Sequence, residues 1–340
     1  MTCDSRESRM EALKNNEVYV TLDSTPNGKT SIFIQPLSDD IFIPYPRWET
    51  NYPGSLIEKI FSVFGNYLID DIRRDEDPQY VEKNLRQNIF FHFPDETFAG
   101  KRILDFGCGS GSSAMVLARL FPEFQEIVGV ELVPEHLEIA HARAAHYGVT
   151  NVSFKQSPGG DSLPSDIGRF DVVMLSAVFE HLLPDERKPL LELLWSVMEP
   201  GAVLFINQTP NRWFPLEIHT TGGLPGLNFL PPWAAERLAK HFSEEVSADQ
   251  SWDDLLRAGI RGATEREIMR LLPENEAELV RPPGIKDGID IWYAQTQNRT
   301  SAKKRLTYTG FKIVAKSGLV MLPYHLNMAI RKRARTVPAS

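Results

Sequence analysis

Cysteine is scarce: 340 residues hold two, Cys3 and Cys108, which make no disulfide framework. That scarcity argues against the stapled secreted class and leads to the expectation of a reducing, cytoplasmic setting. Also missing is any uninterrupted apolar run of about 18 residues, so no spanning helix is expected. Residues 313–330 come nearest, but Lys316, Tyr324, His325 and Asn327 interrupt them. The first residues carry Asp4, Arg6, Glu7, Arg9 and Glu11 without an apolar core, so they do not read as a signal peptide. No repeat or low-complexity tract is seen. Acidic residues are absent from one long region: residues 301–340 hold nine Lys/Arg and no Asp/Glu. Since the whole chain carries −8, the first 300 residues carry −17. Such an acidic body opposes nucleic acid as a partner. The basic end reads either as an ordinary solvated end or as a weak peripheral contact for anionic lipid or an acidic partner.

What is present is an alternation of strand and helix. Strands are expected over residues 126–132, 152–155, 170–176 and 202–207, and helices over 134–147 and 185–198. Strands separated by helices of 10–15 residues imply right-handed βαβ units and an α/β, doubly wound, mostly parallel sheet. Ahead of it, residues 18–22 and 31–34 suit a hairpin around Asn27-Gly28. Residues 41–51 are rich in proline and aromatics. Ser55 and Glu58 have capping-box spacing for a helix to about residue 72, and a second helix is expected over 79–91. After residue 207 come a Pro/Gly/aromatic loop, 209–232, and helices near 233–241, 252–258 and 265–272. Ser251 with Asp254 and Thr264 with Glu267 cap the last two. Residues 288–297 read as a late strand. The resulting division is an N-terminal extension and helical cap, 1–92; a ligand-binding core, 93–207; a lid for an acceptor, 208–285; a returning strand, 286–300; and a basic tail, 301–340.

The segment from Lys101 to Gly111 contains a short apolar strand, Asp105, and glycines at 107, 109 and 111, followed by a helical apolar pattern. Glycines at alternate positions let a ligand approach the backbone and permit positive φ. A dinucleotide turn needs Gly-x-Gly-x-x-Gly, and from Gly107 its third glycine falls on Ser112, which disfavours an NAD-dependent oxidoreductase. Asp-x-Gly-x-Gly-x-Gly resembles the first motif of class I S-adenosylmethionine-dependent methyltransferases. Three more matches follow in order: Glu131 at a strand end 20 residues beyond Gly111, the strand opening Phe170-Asp171-Val172-Val173, and Pro200-Gly201 before the next strand. The resemblance implies a Rossmann-like seven-stranded methyltransferase fold with S-adenosyl-L-methionine as cofactor and S-adenosyl-L-homocysteine as product. It also implies that Asp105, Gly107, Cys108, Gly109 and Gly111 hold the amino-acid end, and that Glu131, with Leu132 beside it, binds the ribose diol. The adenine falls to the loop 157–160 and to Asp161, which reads equally as an ordinary turn aspartate. Ser176 ends the fourth strand of the cofactor site.

Methyl transfer to an oxygen needs a base as well as positioning. Glu180-His181 follows the fourth strand and is similar to the Glu-His pair of ubiquinone-type O-methyltransferases and small-RNA end methyltransferases. Some of those hold a metal through Glu-x-x-Glu-His, but the first glutamate position here is Ala177, so no metal is assigned. Glu217 and His219 follow the fifth strand, whose exit, Thr209-Pro210-Asn211-Arg212, also resembles those enzymes. His181, His219 and Glu217 are therefore the catalytic candidates, against a reading in which they only brace the loops. Trp48 and Trp213 head the aromatic residues, with Tyr45, Tyr52, Phe214, Phe229 and Trp233, that suit an acceptor pocket. O-methylation of a small molecule, lipid precursor or glycan is expected. The alternative is a cofactor-binding regulatory protein without catalysis.

Overall fold

The computed structural model describes residues 11–93, 98–160, 162–296, 299–318 and 322–334. Strands β1 (Glu11–Lys14), β2 (Val18–Ser24), β3 (Thr30–Pro36) and β4 (Arg47–Thr50) form an antiparallel meander in chain order. The expected hairpin is its centre. Alternation explains its seating: Val18, Val20 and Leu22 are buried, as are Ile32 and Ile34 on the neighbouring strand.

Helices α1 (Gly54–Phe64) and α2 (Leu68–Glu76) replace the single helix expected to residue 72. The first begins behind Pro53 with no side-chain cap, so the Ser55–Glu58 box does not form. Gly65, at φ +51°, ends it, because a β-carbon there would lie 3.0 Å from Asn15 Nδ2. A turn of wide helix over Pro78–Glu82 leads into α3 (Lys83–His92).

The core then alternates as expected: β5 (Arg102–Phe106), α4 (Ser112–Leu120), β6 (Glu126–Glu131), α5 (Pro134–Tyr147), β7 (Val152–Gln156), β8 (Phe170–Ser176), α6 (Pro184–Ser196) and β9 (Met198–Pro210). A two-stranded hairpin, β10 (Leu216–Glu217) and β11 (Leu224–Pro225), precedes α7 (Pro232–Phe242), α8 (Trp252–Arg257) and α9 (Glu265–Leu271). The chain finishes with β12 (Ala277–Leu279), α10 (Gly288–Gln295), α11 (Ala302–Ala315) and β13 (His325–Lys332). Seven strands order as β12-β13-β9-β8-β5-β6-β7. β13 runs antiparallel to both its neighbours, while β5–β8, β6–β7 and β8–β9 pair parallel, so the sheet is mostly parallel, as the alternation implied.

Two expectations fail here. Residues 288–295 are the helix α10, not a strand, while Gln297 lies outside the described residues. The alternating Ile289, Ile291 and Tyr293 look strand-like, but Asp287 caps the helix by accepting from the N–H groups of Ile289 and Asp290. Asp290 answers by accepting from Asp287 N–H, closing a capping box. Nor is 301–340 simply a tail. It contains α11, and β13 takes the place in the sheet that residues 288–297 were expected to fill, burying Leu326, Met328, Ala329 and Ile330.

The described residues gather into two compact units. Residues up to Leu85 with Cys108–Ser157 form one, and Arg86–Gly107 with Pro158 onward form the other. The first has its core between the meander, α1, α2 and Ile139 of α5. The second is built on β8, β9 and β13, with a separate small core made by Leu227, Ala235, Ala239, Leu255 and Ile260.

Candidate functional site

The turn after β5 explains its glycines one at a time. Gly107 has φ +72°, and a β-carbon would come within 2.6 Å of Val178 Cγ2. Gly111 has φ +82°, and its β-carbon would meet Ala140 Cβ at 2.7 Å and Cα at 3.0 Å. Gly109 differs: φ is +53°, but nothing lies within 4 Å of where its β-carbon would point. That open side is where a ligand can reach the backbone. Asp105 is buried at the end of β5, and Cys108 is buried with its N–H bonded to Val130 O.

Glu131 is drawn onto this turn. One carboxylate oxygen accepts from Gly109 N–H at 2.9 Å, the other from Leu132 and Val133 N–H at 2.8 and 3.1 Å. A carboxylate offers about four acceptor positions, so these three bonds leave one, on the oxygen that Gly109 N–H meets, for a ligand hydroxyl. Leu132 beside it is half exposed, an apolar surface that suits the flat face of a base. The observed groups therefore fit the cofactor that the turn motif implies. Asp161 lies outside the described residues.

A group missed in the sequence holds the turn from behind. Arg143 of α5 is fully buried and donates through Nη1 to Ser110 O and Ser112 Oγ, each at 2.8 Å. Its Nη2 reaches Asp71 Oδ1 at 2.6 Å, and its Nε reaches Tyr52 Oη at 3.1 Å. Tyr52 in turn donates to Asp75 at 2.6 Å. Tyr52 is thus a buried framework residue, and Trp48, which donates to Glu76 and packs on the same core, is its neighbour. Tyr52, expected to line an acceptor pocket, is instead enclosed in this network. The available signal was a charge on the apolar face of α5, where Ile139, Ala140 and Ala144 are buried with Arg143.

In the second unit, chemistry collects at the exits of β8 and β9. Ser176 and Asn207 are paired across these strands. Their side-chain polar atoms are buried without a hydrogen-bond partner among the described residues. The residues after them, Ala177 and Gln208, take positive φ of 54° and 63° without being glycine. Strain of this kind collects at functional sites. Asn207 was not among the expected site residues, and its place at a strand end was a signal for it in the sequence.

Glu180 is buried, and Thr209 Oγ1 donates to its Oε2 at 3.0 Å, while Oε1 has no partner among the described residues and lies 3.9 Å from His181 Nε2. Burial raises its pKa. His181 Nδ1 is 2.7 Å from Arg257 O, and its ring centre is 5.5 Å from that of His219. Burial, then the neighbouring His181, lowers the pKa of His219, so its ring is neutral at pH 7. Gly259 makes this placement possible: a β-carbon there would lie 2.6 Å from His219 Cε1.

Glu217 meets the backbone of its own loop, as the bracing reading has it. Its carboxylate accepts from the N–H groups of Thr220 and Thr221, bracing the turn that carries His219. Burial raises its pKa as well. The start of β13 adds two residues that the sequence reading left in a tail. Tyr324 has its pKa raised by burial and by Glu217 and Glu180, and His325 is pushed down to about 4 by burial and by His219. The ring nitrogens of His181 and His219 and a Glu180 oxygen all lie within 4.8 Å of one another, a set able to gather a cation. Trp213 is half exposed and stacks on Phe229 at 5.8 Å, and Trp233 is more exposed still.

Residues 103–201 match the family model described as a methyltransferase domain. A ubiquinone biosynthesis O-methyltransferase of Acinetobacter baylyi is 28% identical over 118 residues, which cover 34% of this chain and 48% of that protein. An arsenite methyltransferase of Aquipseudomonas alcaligenes is 34% identical over 114 residues, 32% of each chain. The chain thus spans about half the length of the first curated relatives it matches. Among solved structures, the plantazolicin methyltransferase BamL aligns over 82% of this chain and 94% of its own, with 15% identity and a TM-score of 0.45.

Proposed function

We propose, from the match of residues 103–201 to a methyltransferase domain model, a class I S-adenosylmethionine-dependent enzyme that methylates a hydroxyl of a small molecule, lipid precursor or glycan. Gly107, Cys108, Gly109 and Gly111, with Asp105, Glu131, Leu132 and Ser176, would hold the cofactor. When bound, S-adenosylmethionine supplies a methyl carbon already activated by its positive sulfur. The chain's own task is to position the acceptor, exclude water and take one proton.

His219 is the residue we assign to that proton. The observation that carries the assignment is its place beside Glu180 and His181 at the strand exits, its ring centre 5.5 Å from that of His181, where burial favours the neutral ring that can accept a proton. Glu217 holds the loop, and His181, tied to Arg257 O, flanks the base. The relative named for ubiquinone biosynthesis supports an oxygen acceptor; the one named for arsenite marks how widely this domain is used.

The test joins calorimetry to methyl transfer. His219→Ala should bind S-adenosylhomocysteine normally and lose turnover roughly 10²–10⁴-fold. Glu131→Ala should lose cofactor affinity itself. Unchanged turnover in the histidine variant demotes His219 to lid structure. Tight cofactor binding with no labelled acceptor in a cell extract favours the regulatory protein instead.

A second reading rests on the partnerless Oε1 of Glu180. Glu180, His181 and His219 would then hold a divalent cation that lowers the acceptor's pKa. Dialysis against a chelator separates the two. Activity that disappears and returns with Mg²⁺, Mn²⁺ or Zn²⁺ supports the cation, and activity that persists supports the base.

A further inference from the structure

α11 spans fourteen residues, and none of its residues is buried. One face leans on α10. Tyr308 stacks on Tyr293 at 4.3 Å, Phe311 meets Trp292 at 5.1 Å, and Lys312 bridges Asp287 and Asp290 at 2.7 and 2.9 Å. The opposite face holds Leu306 and Ile313, 75% and 63% exposed, in one row with Thr309 and with Val314 alongside. Residues at i, i+3 and i+7 share a helix face, so this is an apolar stripe open to solvent. Lys303, Arg305 and Lys316 flank it, all exposed, and the helix contains no acid.

We propose that this outer face of α11 docks on an anionic phospholipid surface. Leu306, Ile313 and Val314 enter the boundary between headgroups and acyl chains, while Lys303, Arg305 and Lys316 pair with lipid phosphates. Charge singles out this occupant. The first 300 residues carry −17 and are repelled by such a surface, whereas α11 and the turn after it, residues 301–318, carry five Lys/Arg and no acid, with Lys312 paired to Asp287 and Asp290, so the remaining positive charge orients attachment through α11. A second copy suits the face poorly, because a twofold contact through α11 would set its cations against their own counterparts. The apolar row distinguishes the face from a purely electrostatic patch. The docking does not depend on the methyltransferase reading, and its test reads binding alone.

Flotation of the full chain decides the matter, using vesicles of phosphatidylcholine with about a third phosphatidylglycerol beside vesicles of phosphatidylcholine alone. The wild type should float with the anionic vesicles and stay down with the neutral ones. Leu306→Glu with Ile313→Glu should abolish flotation. Lys303→Glu with Arg305→Glu should weaken it by roughly tenfold or more. Both variants alter exposed positions and should melt and sediment as the wild type does. No flotation of the wild type overturns the proposal. So does flotation that survives the double glutamate change in the apolar row, which would reduce the effect to diffuse charge. A concentration-dependent dimer dispersed by Leu306→Glu would show the face to be an interface between copies, and overturns it too.

Discussion

His219 and Gly259 show how closely one residue's chemistry depends on another's lack of a side chain. Adding a methyl group at Gly259 puts carbon 2.6 Å from His219 Cε1 and 3.3 Å from Glu180 Cγ, at a φ of +96°. The imidazole can swing away, so Gly259→Ala is expected to fold. It should cut turnover about tenfold or more while leaving S-adenosylhomocysteine affinity unchanged, as a displaced base requires. Equal loss of both would place Gly259 in the framework alone. Gly111→Ala has no such escape, because the collision is with Ala140 Cα in the backbone of α5. Its strain at positive φ adds to the overlap, and it should lower stability by about 2 kcal/mol or more in denaturant melts. The spacing of these turn glycines was legible as a motif. Their separate reasons were not, since Val178 and Ala140 reach Gly107 and Gly111 only through folding.

At the scale of elements, α5 does two jobs. Its Ile139 face packs into the core of the first unit, and on the same face Arg143 ties the glycine turn to α2 through Asp71. Replacing a buried cation strands its carboxylates, here Asp71 and Asp75, which are themselves buried. Arg143→Met should therefore cost about 3–5 kcal/mol. Arg143→Lys keeps the charge but cannot make the forked contacts. It should retain most of the stability yet lose cofactor affinity, because Ser110 O and Ser112 Oγ are left without their donor. Calorimetry beside a urea melt checks this. A lysine variant with normal affinity would leave Arg143 a stability element only. The helices and strands of the alternating core were legible because their apolar periods are long and bounded by Pro and Gly. α10 was misread because its short apolar alternation is overruled by a polar capping box at Asp287 and Asp290.

Across the whole molecule, the mostly parallel sheet followed from the alternation, but the composition of the site did not. Glu180, His219, Tyr324 and His325 come from four segments separated by up to 145 residues in the sequence, and only tertiary packing makes His325 a neighbour of His219. That packing has a pH signature. His325 holds a pKa of about 4 in the fold against an ordinary 6.5, because burial and His219 disfavour its charged form. Below pH 6.5 the unfolded chain takes up this proton while the folded chain refuses it until about pH 4. The unfolded state thus binds more protons across that window, and stability falls as pH drops through it. His219, also depressed, tilts the same way, while Glu180 and Glu217, both raised by burial, tilt the other way as pH rises above the ordinary carboxylate range. Comparing wild type with His325→Gln removes one contribution and leaves the others in place. The glutamine variant should show the flatter acid limb, with the difference between the two growing to at most about 3 kcal/mol from pH 7 to pH 4. Melting curves at unit steps of pH measure it. Parallel limbs would mean that His325 titrates as it does in the unfolded chain, and that the entry of β13 is open to water.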